Sequence, residues 1–274
     1  MKKIFLLIVL IQFQFINSQK ILNDYPLSKI VEETSGLEVI GDYLITHNDS
    51  GGDPSLYYLS KEGEILKTRE IESAINKDWE DLAKDDKYIY ISDIGNNYST
   101  RKDLKIYKVP IDEKSKEKTQ IISFNYPEQD SFKINRNTIY DAEGLIVIDN
   151  ELLIFTKNRA KKITEIYSIP KYQGDYNAKK IGILNVKSII TGADYNKDLK
   201  LLALTSTIDF NEYFLITIND FNLKNNKDYK IKMIKIPIGK TQIEAIKIID
   251  RKNFWITSED ESSSKHARLL KLNI

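Results

Sequence analysis

The sequence has no cysteine, two histidines and a formal net charge of only +1, from 41 basic and 40 acidic side chains. The lack of cysteine excludes disulfides and thiol nucleophiles, so the fold must be held together by packing. A balanced charge provides no field to attract nucleic acid or an anionic membrane surface, and we expect neither as a partner. The Gly-x-Ser-x-Gly element and the glycine-rich phosphate loops are also absent, which disfavours serine hydrolases and phosphate-loop nucleotide binding.

Long apolar runs are missing except at the start of the sequence. The chain begins with Met and two lysines, continues with apolar residues 4–11 and reaches small residues near Ser18, which is the layout of a secretory signal peptide. Two glutamines interrupt the run and leave it short of the roughly 20 apolar residues that span a bilayer. We therefore expect residues 1–18 to be a signal peptide and residues 19–274 to be the mature domain. The protein is expected to be exported, to the periplasm or the extracellular space, with no membrane span after signal removal.

The chain does contain a pattern that recurs five times. In each repeat a short apolar strand opens at an acidic or small residue, a second strand ends in Thr or Ser, and a third strand follows after a polar loop. The openers are Ser35, Glu80, Glu143, Thr191 and Glu244. The second strands end at Thr46, Ser92, Thr156, Thr205 and Thr257. Strand-built repeats spaced by roughly 45–65 residues indicate the blades of a β-propeller.

Each repeat except the last is followed by one more strand, in which charged and apolar residues alternate. These outermost strands are predicted at residues 64–71, 119–126, 178–186 and 229–237. The fifth repeat has no such strand before Ile274, and an unpaired edge is an aggregation liability. We expect residues 20–31 to pair with residues 269–273 and to complete the last blade. The prediction is an all-β, single-domain β-propeller of five four-stranded blades; a six-bladed ring is the alternative, if two degenerate repeats have been counted as one.

Acidic residues are predicted to collect on one face of this propeller. In an antiparallel blade the start of the first strand and the end of the second lie at the same end, so the openers share a face with the second-to-third loops. The carboxylates of this face include Asp49, Asp78, Glu80, Asp81, Asp93, Asp141, Glu143, Asp194, Glu244 and Glu259. Carboxylates brought together must be protonated, pair with a cationic side chain or bind a metal ion, and oxygen donors favour calcium. The alternative is that Glu80, Glu143 and Glu244 cap backbone amides and fix the blades to one another.

Four other side chains of this face are candidates for catalysis. His47 and His266 are the two histidines of the chain, and a histidine beside a carboxylate can act as a general base. The alternative for both is a loop position without a chemical role. Lys157 and Arg159 would contact a phosphate group directly, or would neutralise Glu143.

Three segments resemble a known family. Residues 78–82, 89–97 and 141–145 are similar to bacterial envelope β-propellers related to phytase-like and SdiA-regulated proteins. Calcium-dependent phytases of this type bind several calcium ions on an acidic face and gather substrate phosphates there. Carried over, the resemblance implies as metal ligands Glu80, Asp81, Asp93, Glu143, Glu244 and Glu259. Those phytases have six blades, however, and the fourth opener here, Thr191, has no carboxylate.

A second resemblance is to calcium-dependent sugar lactonases. These hold a single metal at the channel with Glu, Asn and Asp side chains, and the residues of the same types here are Glu143, Asn158 and Asp93.

Two functional interpretations remain open at this level. The first is an exported, monomeric propeller that binds calcium and, through it, a small anionic or sugar-like ligand; in a catalytic version it hydrolyses a phosphoester or a lactone. The second is a non-catalytic binding module for a glycan or a protein partner. Propellers serve both purposes, so the fold does not decide between them.

Overall fold

The structure is a computed structural model that describes residues 19–222, 229–239, 241–259 and 266–274. The signal-peptide prediction therefore lies outside the described residues. The first strands in chain order are β1 (Lys20–Pro26), β2 (Thr34–Ile40), β3 (Tyr43–Asn48), β4 (Ser55–Leu59), β5 (Ile65–Glu70), β6 (Trp79–Lys84), β7 (Tyr88–Asp93), β8 (Lys105–Pro110), β9 (Gln120–Asn125) and β10 (Ala142–Ile148). They are followed by β11 (Glu151–Thr156), β12 (Thr164–Pro170), β13 (Gly174–Asn177), β14 (Lys179–Leu184), β15 (Ile189–Asn196), β16 (Leu201–Ile208), β17 (Glu212–Asn219), β18 (Ile231–Lys235), β19 (Ile243–Ile248), β20 (Asn253–Ser258) and β21 (Arg268–Asn273).

These strands form a five-bladed β-propeller, as predicted, and the six-bladed alternative is wrong. Blade 1 is β2-β3-β4-β5, blade 2 is β6-β7-β8-β9, blade 3 is β10-β11-β12-β14, blade 4 is β15-β16-β17-β18, and blade 5 is β19-β20-β21-β1. All pairs within these four-stranded units are antiparallel. The innermost strands β2, β6, β10, β15 and β19 contact one another in a closed ring around the channel.

The predicted closure of the ring is confirmed. Strand β1 pairs with β21, with Lys20 opposite Asn273 and Pro26 opposite Arg268. The Arg268 guanidinium also donates to the Asp24 carboxylate across this seam, with 2.9 Å between Nε and Oδ1. The strand is shorter than the predicted 20–31, because the chain turns after Pro26 into a short 3-10 helix, Lys29–Val31, capped by the Ser28 hydroxyl.

One strand was not predicted. Strand β13 pairs in parallel with β9, so residues between the third and fourth strands of blade 3 add a fifth strand to the outer edge of blade 2. The amide of Ala178, immediately after β13, donates to the Asn125 carbonyl oxygen at 2.9 Å. The chain then enters β14, the outermost strand of blade 3. This crossing joins blades 2 and 3 at their rims.

The core consists of five apolar layers, each between two adjacent blades. Successive side chains of a strand point to opposite faces of the blade, and each face packs against a neighbouring blade. Both faces are therefore buried, which explains the runs of consecutive buried residues in the inner strands. Trp79 lies fully buried in the layer between blades 1 and 2, and its indole Nε1 donates to the Ile75 carbonyl oxygen at 3.1 Å. In the part of the chain that the structure describes, no helix has the length and apolarity required to cross a membrane.

Candidate functional site

Every innermost strand carries a β-bulge at its opening end. The register with the second strand shifts at Glu80, Glu143, Thr191 and Glu244 in blades 2 to 5, and at residues 36–37 in blade 1. A bulge leaves one residue out of the ladder and redirects its side chain. The openers recognised in the sequence are therefore bulge residues or their neighbours. This explains why three glutamates from different blades turn toward one end of the channel.

These glutamates line a cavity of about 270 Å³ at that end, which we call the acidic mouth. Its lining residues are Ser35, Asp49, Glu80, Asn97, Glu143, Lys157, Arg159, Phe210, Gln242, Glu244 and Glu259. The lining thus brings together four of the six predicted metal ligands and two of the four predicted catalytic candidates. Ser35, Asn97, Phe210 and Gln242 were not among those candidates, and Asp49 was assigned only to the face. What marks them in the sequence is their position at or near an opener or in a second-to-third loop.

Glu80 is the carboxylate shared by two tight groups of oxygens. One oxygen from each of Asp49, Asp78 and Glu80 lies within 4.8 Å of the others, and the same holds for Glu80, Asp141 and Glu143. Oxygens at these separations can all approach a common point at calcium distance, about 2.3–2.6 Å. Gly95 makes the close approach possible, because a Cβ there would lie 2.0 Å from Glu80 Oε1 and 2.3 Å from Asp78 Oδ2.

Ionisation of the carboxyl groups is unfavourable in the acidic mouth. Burial, followed by the neighbouring carboxylates, raises the pKa of Asp49 to about 8. Burial also raises the pKa of Glu259 to about 7 and that of Asp78 to about 6. For Glu80 and Glu244 the same two causes, burial first, hold the pKa well above its usual value. Carboxyl groups whose pKa is raised in this way are stabilised by protonation or by a nearby cation.

Two cationic side chains offset part of this charge. The Lys157 ammonium pairs with Glu143 and is buried with it. Burial lowers the pKa of Lys157, but the carboxylates of Glu143 and Glu244 outweigh burial and raise the pKa above its ordinary value. Arg159 donates to Asp141 Oδ2 at 2.5 Å and to the Asn97 side chain. Both cations are therefore held by the protein and form one wall of the mouth.

Other carboxylate oxygens of the mouth have no hydrogen-bond partner among the described residues. Glu80 is 3% exposed and Glu244 8% exposed, and neither carboxylate accepts a hydrogen bond from a described residue. One carboxylate oxygen of Asp49 is likewise buried without a partner among the described residues. The side chain of Gln242 donates to the carboxylate of Glu259, which also lines the mouth. A buried oxygen without a hydrogen bond costs free energy, and several such oxygens around one cavity indicate a ligand site.

Two predicted metal ligands lie elsewhere. Asp81 is completely buried, and its carboxylate accepts the backbone amides of Leu82 at 2.8 Å, Leu145 at 2.9 Å and Ala193 at 3.1 Å. It thereby joins blade 2 to blades 3 and 4. Asp93 forms an ion pair with Arg101, with 2.8 Å between Oδ1 and the guanidinium, and neither residue lines the acidic mouth.

The remaining candidates are also outside the mouth. His47 is fully buried, stacks edge-on against Trp79 at 5.5 Å between ring centroids, and has its pKa lowered to about 4 by burial. A neutral ring sealed in the core has no contact with the cavity. His266 is exposed and does not line the mouth. Asn158 is buried and accepts the Lys161 amide at 3.0 Å, which is a turn contact.

Comparison with known proteins shows the class of the fold. The structure resembles the PQQ-bound form of aldose sugar dehydrogenase from Streptomyces coelicolor, with a TM-score of 0.52 and 10% identity over 93% of this chain and 98% of that one. It also resembles an exo-β-1,3-galactanase from Phanerochaete chrysosporium in complex with β-1,3-galactotriose, with a TM-score of 0.55 and 9% identity over 93% of this chain and 64% of that one. A putative oxidoreductase (glucose dehydrogenase) from Thermus thermophilus aligns with a TM-score of 0.50 and 9% identity, over 91% of this chain and 99% of that one.

At these identities the likeness establishes a β-propeller and nothing finer. The sequence matches no protein-family model and no curated protein. The chain is therefore a five-bladed β-propeller with a carboxylate-lined mouth at one end of its channel.

Proposed function

We propose that this propeller binds a divalent cation, calcium, in its acidic mouth and, through the cation, a small sugar-like or anionic ligand. The observation that carries the proposal is the set of buried carboxylates around Glu80, which is shared by both oxygen groups and accepts no hydrogen bond from a described residue. Two resident cations face five lining carboxylates, so negative charge remains for a metal ion to neutralise.

The donor set favours calcium. The mouth offers carboxylate, amide and hydroxyl oxygens, the chain has no thiolate, and His47 is turned away from the cavity. Oxygen ligands of this kind suit Ca²⁺ rather than zinc or copper. The cation would be held by Glu80 together with Asp49 and Asp78, or together with Asp141 and Glu143.

The ligand class is supported by the cavity and by the comparisons. A cavity of about 270 Å³ lies near the lower end of the usual range for small-molecule sites. Its wall carries Lys157 and Arg159, which would contact an anionic substituent. The aldose sugar dehydrogenase and the galactanase complex with galactotriose are propeller neighbours named for sugars. We propose that the protein is exported, as the first 18 residues suggest, and that it acts on sugars or sugar phosphates of its surroundings.

A catalytic version of this function follows from ordinary metal chemistry. A bound divalent cation polarises an ester or phosphoryl oxygen and lowers the pKa of a coordinated water molecule. The chain would contribute the cation site and the Lys157 and Arg159 wall, which would stabilise the developing negative charge. This is the phytase-like or lactonase-like hypothesis. The second candidate function is binding of a glycan or of a protein partner without hydrolysis. It is favoured if calcium binds but no phosphoester or lactone is turned over.

Thermal unfolding in chelator and in millimolar calcium tests the proposal. A ligand bound only by the folded state raises the unfolding free energy by about 2.7 kcal/mol at a concentration 100 times its Kd. We expect calcium to raise the midpoint of the wild-type protein and Glu80→Gln to remove most of this increase without unfolding the chain. Glu117→Gln is the control, because Glu117 is exposed and accepts a hydrogen bond from the Tyr88 hydroxyl far from the mouth. Identical wild-type midpoints with and without calcium would refute the proposal.

A further inference from the structure

The channel has a second and larger opening at the other end of the propeller. A cavity of about 1020 Å³ lies there, and we call it the opposite mouth. Every blade contributes to it at the point where its innermost strand ends: Val39, Lys84, Ile148, Tyr195 and Lys247, from blades 1 to 5 in order. The acidic mouth and the opposite mouth share no lining residue. A cavity of this size is at the upper end of the range of small-molecule sites.

The lining of the opposite mouth holds a partly buried donor, Lys247, beside a buried acceptor, Glu38. The Lys247 ammonium lies 2.8 Å from Glu38 Oε2 and 2.8 Å from Asp194 Oδ1. An ammonium has three donors, so one remains after these two contacts. Glu38 is 3% exposed; its Oε2 also accepts the Val39 amide, whereas its Oε1 accepts no hydrogen bond from a described residue.

One wall of the opposite mouth is an immobilised aromatic ring. The Tyr195 hydroxyl donates to the Phe221 carbonyl oxygen at 3.2 Å, and the two rings contact each other in a T-shaped arrangement at 5.9 Å between centroids. Tyr195 remains partly exposed to the cavity that it lines. A fixed ring of this kind presents apolar area without the entropic cost of being ordered upon binding.

The charges around the opposite mouth are mixed in sign. Lys171 pairs with Asp85 at 3.0 Å, and Lys197 lies 3.6 Å from Asp86. Such a rim has no excess of one charge to attract a strongly anionic or cationic ligand. The free donor of Lys247 and the free acceptor of Glu38 are instead the complement of hydroxyl groups, each of which both donates and accepts.

We propose that the opposite mouth is a second ligand site that binds a neutral polyhydroxylated molecule, a saccharide or polyol. Adjacent hydroxyls accept from Lys247 and donate to Glu38 Oε1, and the C–H face of the sugar packs on the Tyr195 ring. No cation takes part, so this site goes beyond the calcium-dependent function of the acidic mouth and does not depend on it.

Saturation-transfer NMR in the presence of chelator tests this site. The probes are glucose, galactose, maltose and myo-inositol, added one at a time to the mature wild-type protein. We expect signal transfer to at least one of them. Tyr195→Ala and Glu38→Gln should each weaken binding by about tenfold, since each removes a contact worth about 1–1.5 kcal/mol. Tyr195→Phe, which keeps the ring, should bind like the wild type.

Several outcomes overturn the proposal. They are no transfer to any of the four probes, equal binding by Tyr195→Ala and Tyr195→Phe, and binding that Glu38→Gln leaves unchanged. Circular dichroism confirms the fold of each variant. If Tyr195→Ala does not fold, the comparison of Glu38→Gln with the wild type still decides, because Gln keeps the volume of Glu and Asp194 still pairs with Lys247. Failure of calcium to stabilise the protein would refute the proposed function and leave this test unaffected.

Discussion

Two neighbouring acidic residues in the same strand, Glu80 and Asp81, have entirely different surroundings. Glu80 is the bulge residue and faces the acidic mouth without a hydrogen-bond donor among the described residues. Asp81 accepts amides from Leu145 and Ala193, which are 64 and 112 positions away in the sequence. Because those donors belong to other blades, no local pattern distinguishes a cation ligand from a link between blades.

The residue-level part of the site was only partly predictable. Convergence of Glu143, Glu244 and Glu259 on one face follows from antiparallel geometry and the repeat register, and the structure places all three in the mouth. Arg101 pairs with Asp93 outside the mouth; it lies in the loop after β7 and was not among the predicted site residues. His47 was expected on the acidic face, yet it belongs to β3 and is buried. Pairing and burial depend on tertiary contacts that residue type does not encode.

Lys157 is expected to be essential for stability in the absence of added cations. Lys157→Met removes a buried ammonium from among Glu143, Glu244 and Asp141. Breaking a buried pair by removing one partner costs about 3–5 kcal/mol. Lys67→Met is the matched control, because the Lys67–Glu113 pair is exposed and such pairs contribute about 0–1 kcal/mol. Urea unfolding in chelator measures both; equal losses for the two variants would contradict this role of Lys157.

The strand pattern was predictable where strands are long and repeated, and not where a strand is short. The outermost strands β5, β9, β14 and β18 all fall within their predicted ranges. Strand β13 has four residues, of which Gly174, Asp175 and Asn177 are typical of turns. It is held by parallel pairing with β9, a contact with residues some 50 positions earlier. A non-local contact of that kind leaves no periodic signal in the sequence.

Covalent closure of the β1–β21 seam should stabilise the whole ring. Asn23 and Lys271 are paired across this seam, and the chain has no cysteine of its own to compete. We expect Asn23→Cys combined with Lys271→Cys to form a disulfide that raises stability by about 2–4 kcal/mol, because it closes a very long loop in the unfolded chain. The reduced form of the double variant is the control in urea unfolding. Equal stability of both forms would contradict the prediction.

At the scale of the whole molecule, the two ends of the channel differ in charge although the net charge of the chain is only +1. The acidic mouth has five lining carboxylates and two cations. The opposite mouth has lysines and carboxylates in similar numbers, several of them paired. The total charge gave no indication of this difference between the two ends, which arises from the position of each residue in the ring.

Stability in chelator should fall as the pH rises from about 5 to about 8. The pKa of Asp49 is about 8 in the folded state against an ordinary 3.8, and that of Glu259 about 7 against 4.5. Between these values the folded state retains protons that the unfolded chain has lost, so the free energy of unfolding decreases with increasing pH. Saturating calcium replaces those protons and should flatten the dependence. Urea midpoints across the range, with and without calcium, measure this; a rise in stability toward pH 8 in chelator would refute it.

The seam between β1 and β21 also determines how the ring responds to force. Lys20 lies opposite Asn273, so a load applied between these two residues acts at one end of an antiparallel pair and at right angles to the strands. The backbone hydrogen bonds between β1 and β21 then carry the load one after another instead of together. Strand β1, which completes the last blade, is therefore the strand that we expect to separate first under this load.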